Sequence, residues 1–407
     1  MSVLNPEVLG RVGNDPIFAL NAEARARAEG GESILNATLG ALTRDDGSLA
    51  VMGSAAVAFE EVPPHLAAGY APIAGTPGFL DAVVSDLFGN GPLVEQAVAV
   101  ATPGSTGAIY QAVGNFLERG QAALAPSLYW GPYRVICEHQ GRGVDTFEMF
   151  TPSLRMDVDA LAAGLDRQLR GQGRALVLLN FPCNNPTGYS LDAGEWEAVA
   201  AAIAEAGRSG PVAMVLDYAY ARFGGVDGAA WVDVAPLIVG SATLLVGWTA
   251  SKSYTQYGAR VGALVALHRD EQERGRIAAA VGYTCRATWS NCNHRGMIAT
   301  QRLLSDPAAA ATADAERGEL VSLLGERVDA FNRAARAAGL RFPRHDGGFF
   351  VSVLTPDSER TAAAMRKLGV YVVPVRGAVR VALCSTPARE AGRLVDALRA
   401  GVAAARP

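Results

Sequence analysis

Between residues 96 and 267 the chain alternates two patterns. Short unbroken apolar runs, each closed by turn residues, are separated by stretches in which apolar positions return every three or four residues. The runs "QAVAVATPG" (96–104), "AALAPS" (122–127), "ALVLLNFP" (175–182), "PVAMVLDYAY" (211–220), "ATLLVGWTAS" (242–251) and "VGALVAL" (261–267) predict strands. The intervening "TGAIYQAVGNFLE" (106–118) and "DAGEWEAVAAAIAEAG" (192–207) predict helices. Strands that are apolar on both faces, spaced by helices, predict an α/β fold with a mostly parallel sheet covered on both sides. The C-terminal part reads differently. A long helix over 318–339 precedes three short strands, "GGFFVSVL", "GVYVVPV" and "AVRVALC", with a helix between the first two and another over 389–405. "DPAAAATADAE" (306–316) also reads as helix.

Length changes this picture. With 407 residues the chain exceeds one compact core, so two domains are expected. Residues 49–309 are expected to form the large domain, and residues 310–407, joined by the N-terminal segment 1–48, a smaller α+β domain. Net charge is −4, which gives no electrostatic basis for binding nucleic acid or an anionic membrane. No run reaches 18 uninterrupted apolar residues, so no membrane span is expected. The opening residues lack a basic start and an apolar core, so no secretory signal is expected and the location should be cytoplasmic. The five cysteines show no CxxC spacing and the five histidines no HxxxH pattern. Reduced, buried thiols and no metal site are the expectation.

The chemistry begins with a scarcity. Of 36 basic residues only two, Lys252 and Lys367, are lysines. Lys252 follows a predicted strand end. A lone lysine is usually a solvated surface charge, but where arginine serves everywhere else a retained lysine points to what guanidinium cannot do: shed its proton and condense with a carbonyl. In "TPGSTGA", Gly104, Ser105 and Thr106 stand between a strand and a helix. That is either a plain tight turn or a phosphate cradle on a helix N-terminus. "NNPTG" carries Asn185 just beyond another strand, as turn punctuation or as an amide aimed at a ligand. Asp217 ends a further apolar strand, where a carboxylate is costly unless paired, by a structural salt bridge or by a ligand. One arrangement accounts for all four together. A cradle, an amide, a buried acid and a condensing lysine on the strand ends of one sheet describe a pyridoxal phosphate site, with the acid facing the pyridine nitrogen.

At this point the sequence resembles the fold-type I pyridoxal phosphate enzymes, and within them the class I aminotransferases of the aspartate and aromatic type. The resemblance rests on an ordered series: "NDPIFAL" (14–20), "GYAPIAG" (69–75), "TPGSTGA", "YWGPY", "NNPTG", "DYAY", "SKSYTQYGARVG" with its eight-residue step from Lys252 to Arg260, "RATWSN" (286–291) and "VRVALCSTP" (379–387). It implies a seven-stranded, mostly parallel sheet in the large domain. It also implies exchange of an amino group between an L-amino acid, acidic or aromatic, and a 2-oxo acid by a ping-pong route. Elimination, replacement or ring-forming chemistry is the alternative use of the same site. A cofactor-binding regulator with a DNA-binding module is not expected, because only some tens of residues precede the first of these motifs and they are not basic.

The resemblance also implies roles. Lys252 would bond the cofactor and shuttle the proton, Asp217 would pair with the ring nitrogen, and Tyr220 and Asn185 would reach the phenolic oxygen. Gly104, Ser105, Thr106, Thr249, Ser251 and Arg260 would surround the phosphate, with Thr249 the better match than Ser251. Trp130, or its neighbour Tyr129, would stack on the ring. Arg380 would grip the substrate α-carboxylate and Gly40 would line its pocket. Tyr70 and Arg286 would cross to the neighbouring subunit of a homodimer, Tyr70 to the phosphate and Arg286 to a distal carboxylate. Two departures stand out: Cys292 and Asn293 replace a frequent pair of prolines, and Tyr133 stands where aspartate-type enzymes place a histidine behind the acid.

Overall fold

The computed structural model describes residues 2–11, 13 and 16–406; Asn14 and Asp15, at the start of "NDPIFAL", lie outside the described residues. In chain order the strands are β1 (Leu35–Asn36), β2 (Ala97–Thr102), β3 (Ala122–Pro126), β4 (Gly143–Phe147), β5 (Ala175–Leu179), β6 (Val212–Asp217), β7 (Thr243–Thr249), β8 (Gly262–Leu267), β9 (Phe350–Leu354), β10 (Val370–Tyr371), β11 (Val373–Val375) and β12 (Ala378–Ala382). A seven-stranded sheet has the order β2-β8-β7-β6-β5-β3-β4, with only β8 antiparallel to its neighbours. Every residue of β5, β6, β7 and β8 is buried, which is why these strands are apolar throughout rather than alternating.

The register sets the edge on which chemistry can sit. Asp217 pairs across from Gly247, and Gly262 lies beside both Thr102 and Thr249. The C-terminal ends of β2, β5, β6 and β7 therefore share one rim, where an open α/β sheet leaves a crevice. The helix Gly104–Phe116 starts on this rim, and Gly104 has φ +70°. A Cβ there would collide with the Arg260 guanidinium, so glycine is needed for both backbone conformation and close approach.

The remaining elements bring distant segments together. β1 pairs in parallel with β10, through Leu35–Val370 and Asn36–Tyr371. β11, β12 and β9 form an antiparallel sheet. A 31-residue helix, Pro307–Ala337, joins the two helical stretches read separately in the sequence; Asp306 caps it, accepting from the amides of Ala308 and Ala309.

Two readings need correction. "GVYVVPV" is not one strand: it divides at Val372 into β10, on β1, and β11, on β12. β4, "GVDTF", was not anticipated because it is an edge strand with only Phe147 fully buried, so it lacks an apolar run.

Candidate active site

A small cavity of about 40 Å³ opens at the rim, bordered by Ser105, Thr106, Trp130, Asn180, Asn185, Asp217, Ala219, Tyr220, Ser251, Lys252 and Arg260. Lys252 rides on the short helix Ala250–Ser253 directly after β7, started by Thr249, whose hydroxyl accepts from the Ser251 amide. Its Nζ lies 5.4 Å from the centre of the Tyr220 ring. Burial lowers the Lys252 pKa; the Asp217 carboxylate opposes this and the Arg260 charge adds to it. The amine is thus neutral at lower pH than an ordinary lysine.

Asp217 is 3% exposed. Tyr133 donates to its Oδ2 at 2.9 Å, while Oδ1 has no hydrogen-bond partner. Burial raises the Asp217 pKa, against the Tyr133 hydrogen bond, the Lys252 charge and weaker help from Ser105. A buried carboxylate with one orphaned oxygen calls for a cationic donor from a ligand. Asn180, which the sequence reading did not single out, braces the floor. It accepts from the Asn185 amide at 2.7 Å and donates to the Asp217 carbonyl at 2.8 Å. Its signal was the one used for Asp217, a polar residue closing an apolar strand.

At the other end of the cavity, Arg260 donates to Ser251 Oγ at 3.1 Å and to the Pro103 carbonyl at 3.1 Å. Guanidinium, hydroxyls and the free amides of a helix N-terminus converge there, a donor set suited to a phosphate. Ser251, not Thr249, borders the cavity; the Thr249 hydroxyl lies beneath and donates to Ser251 Oγ at 2.9 Å. Trp130 borders it as well, while Tyr129 stacks parallel on Tyr133, 6.2 Å between centres.

Arg380, on β12, is buried beside this group. It donates to the Thr38 carbonyl at 2.6 Å and to Asn185 Oδ1 at 3.4 Å, and its guanidinium lies 4.4 Å from the centre of the Phe350 ring. Asn185 Nδ2 is 3.4 Å from the Tyr220 hydroxyl. Phe350 also closes on Gly40, where a Cβ would fall 2.6 Å from the ring. Thr38, in the loop after β1, and Phe350, on β9, carried no sequence signal of a site. Tyr70 and Arg286 do not border the cavity: Tyr70 is 92% exposed, and Arg286 is exposed and donates to Ser290 Oγ at 2.6 Å.

An acid facing a condensing lysine beside a phosphate-type donor set, on the rim of this sheet, defines a pyridoxal phosphate enzyme. The chain belongs to the family "aminotransferase class I and II", whose model matches residues 36–398. It is similar to the aspartate aminotransferase of Pseudomonas aeruginosa, 28% identical over 88% of this chain and 90% of that one. Among solved structures, an aminotransferase from Anaerococcus prevotii covers 100% of both chains with TM-score 0.90 and 29% identity. An aromatic-amino-acid aminotransferase from Burkholderia pseudomallei, covalently bound to pyridoxal phosphate, covers 99% of this chain and 100% of that one with TM-score 0.81; at 21% identity that likeness is one of fold. The enzyme is a pyridoxal phosphate-dependent transaminase of amino acids and oxo acids, and elimination or replacement chemistry is not favoured. No helix among the described residues is long and apolar enough to cross a membrane.

Proposed function

We propose that the enzyme transfers the amino group of an acidic or aromatic L-amino acid to a 2-oxo acid, with Lys252 as the covalent anchor and proton carrier. The observation that carries this reading is the meeting of Asp217, the end of β6, and Lys252, just beyond the end of neighbouring β7, in one cavity beside the helix N-terminus at Gly104. Bound there, pyridoxal phosphate supplies the carbon that takes up the amino group and the ring that delocalises the electron pair left at the substrate Cα. Lys252 takes and returns a proton at Nζ, which its lowered pKa suits to act as a base. Ser105, Thr106, Ser251 and Arg260 hold the phosphate. Trp130 walls the ring. Asn185 and Tyr220, 3.4 Å apart here, would hold the phenolic oxygen of the bound ring. Arg380 takes the α-carboxylate with two parallel donors, a geometry a planar guanidinium matches. Gly40 leaves room for the substrate beside Phe350. Borohydride reduction of the holoenzyme followed by peptide mapping tests the anchor: the cofactor mass is expected on Lys252, and label on Lys367 in its place would refute the assignment.

The reading includes a homodimer with shared sites. Its support is the exposure of Tyr70, Arg286 and a series of apolar side chains, Leu49, Val51, Val57 and Ile73. Tyr70 would reach the partner's phosphate and Arg286 its distal substrate carboxylate. The five unpaired cysteines suit a reducing cytoplasm. Arg286→Leu is expected to raise KM for dicarboxylic amino acids by about 10–100-fold, the range for losing a charge-assisted hydrogen bond. Aromatic substrates should shift by no more than about threefold, since they carry no second carboxylate. Equal losses for both classes would show that Arg286 reads no carboxylate.

A further inference from the structure

Tyr133 touches two walls of the cavity at once. From the helix Pro132–His139 its hydroxyl donates to Asp217 Oδ2 at 2.9 Å, and its ring meets Trp130 edge-on, 5.6 Å between centres at 89°. It is 1% exposed. The other ionisable or polar groups facing Asp217 are Ser105 on the helix that starts at Gly104, the Ala219 amide and Tyr220 beyond β6, and Lys252 beyond β7; Arg260, Arg380 and Cys384 stand behind Lys252 and Tyr220. None of the five histidines borders the cavity.

We propose that Tyr133 is a positioning residue for the cofactor: its hydroxyl pins one carboxylate oxygen of Asp217 and leaves Oδ1 as the acceptor for the protonated ring nitrogen. This rests on the pyridoxal phosphate reading of the site. The hydrogen bond from Tyr133 favours the ionised form of Asp217, against burial, and fixes its orientation, and the remaining oxygen then selects a cationic donor. Burial and the Asp217 charge push the Tyr133 phenol well above its ordinary value, so it donates throughout the range in which an imidazole, ordinarily near 6.5, would change charge. The donor side of the Tyr133–Asp217 hydrogen bond therefore does not titrate where an imidazole would.

The test compares wild type, Tyr133→Phe and Tyr133→His as purified holoenzymes. Cofactor dissociation is followed by equilibrium dialysis between pH 5.5 and 9, together with kcat, KM and melting temperature. Tyr133→Phe keeps the ring against Trp130 and loses only the hydroxyl. It is expected to weaken cofactor binding and lower kcat, each by about 10–100-fold, the range for one charge-assisted hydrogen bond. KM for the amino donor should change by less than about twofold, because Arg380 is untouched. Tyr133→His is expected to recover most of the affinity at low pH and to show an added step near the imidazole range that wild type lacks. Tyr133→Phe with cofactor affinity and kcat within twofold of wild type at every pH, or Tyr133→His with no added step, would overturn the proposal alone. Wild-type protein that takes up no pyridoxal phosphate would overturn the cofactor reading, and this proposal with it.

Discussion

Lys252→Ala is expected to lower kcat by about 10⁴-fold, the upper end of what proton transfer by a positioned side chain contributes. The fold should survive the change. The amine makes no ion pair or hydrogen bond among the described residues, and its nearest aromatic contact is the Tyr220 ring at 5.4 Å. Burial works against its charge, so its removal relieves a desolvation cost and the melting temperature should not fall. Lys252→Arg is expected to be as inactive as the alanine variant, because a guanidinium neither condenses with a carbonyl nor releases its proton at neutral pH. A small primary amine added to Lys252→Ala should restore part of the rate, since it returns a titratable nitrogen to the vacated space. Steady-state kinetics with and without added amine decide the matter. An alanine variant within tenfold of wild type would remove Lys252 from the chemistry.

Lys252 was legible in the sequence because of an economy: arginine fills almost every other basic position. The sheet was legible for a different reason. β5 to β8 are covered on both faces, so their residues had to be apolar without interruption. β4 escaped because an edge strand needs only some of its side chains buried. β10 and β11 merged because an apolar run does not record that the chain changes partner at Val372. The same division runs through the site. Asp217, Asn185 and Lys252 each close or follow a strand, and local pattern places them on the rim. The Arg380 pocket is built instead from Thr38, Asn185 and Phe350, on segments far apart in sequence that meet beside β12. No local pattern could assemble them, so only the resemblance supplied Arg380 and Gly40, and nothing supplied Thr38 or Phe350. Tyr70 and Arg286 mark a further limit: in one chain both stay at the surface, so their roles depend on a second copy.

Asp217→Asn is expected to lower kcat by about 10³-fold while leaving the cofactor-free protein at least as stable as wild type. The rate loss follows from charge. Opposite charges about 4 Å apart at an effective dielectric near 20 interact by about 4 kcal/mol, which is close to three pK units and to about 10³ in rate. An amide keeps the shape of the carboxylate and can still accept from Tyr133, but it no longer holds a proton on the ring nitrogen. Stability should move the other way. Burial raises the Asp217 pKa above its ordinary value, so folding favours the protonated acid. A group shifted upward contributes stability that is fully present below its unfolded pKa and is lost as pH rises through its folded pKa. At neutral pH the ionised carboxylate is therefore a burden in the cofactor-free protein, and asparagine removes it. Melting curves of the cofactor-free forms at pH 5 and pH 8 should show the wild type losing ground to the variant as pH rises. A structural salt bridge with Lys252 makes the opposite prediction: the variant would be the less stable at both pH values, with a rate loss no larger than its unfolded fraction explains. The two measurements together separate a carboxylate kept to hold up the fold from one kept, at a cost in stability, to face a cation that arrives only with the cofactor.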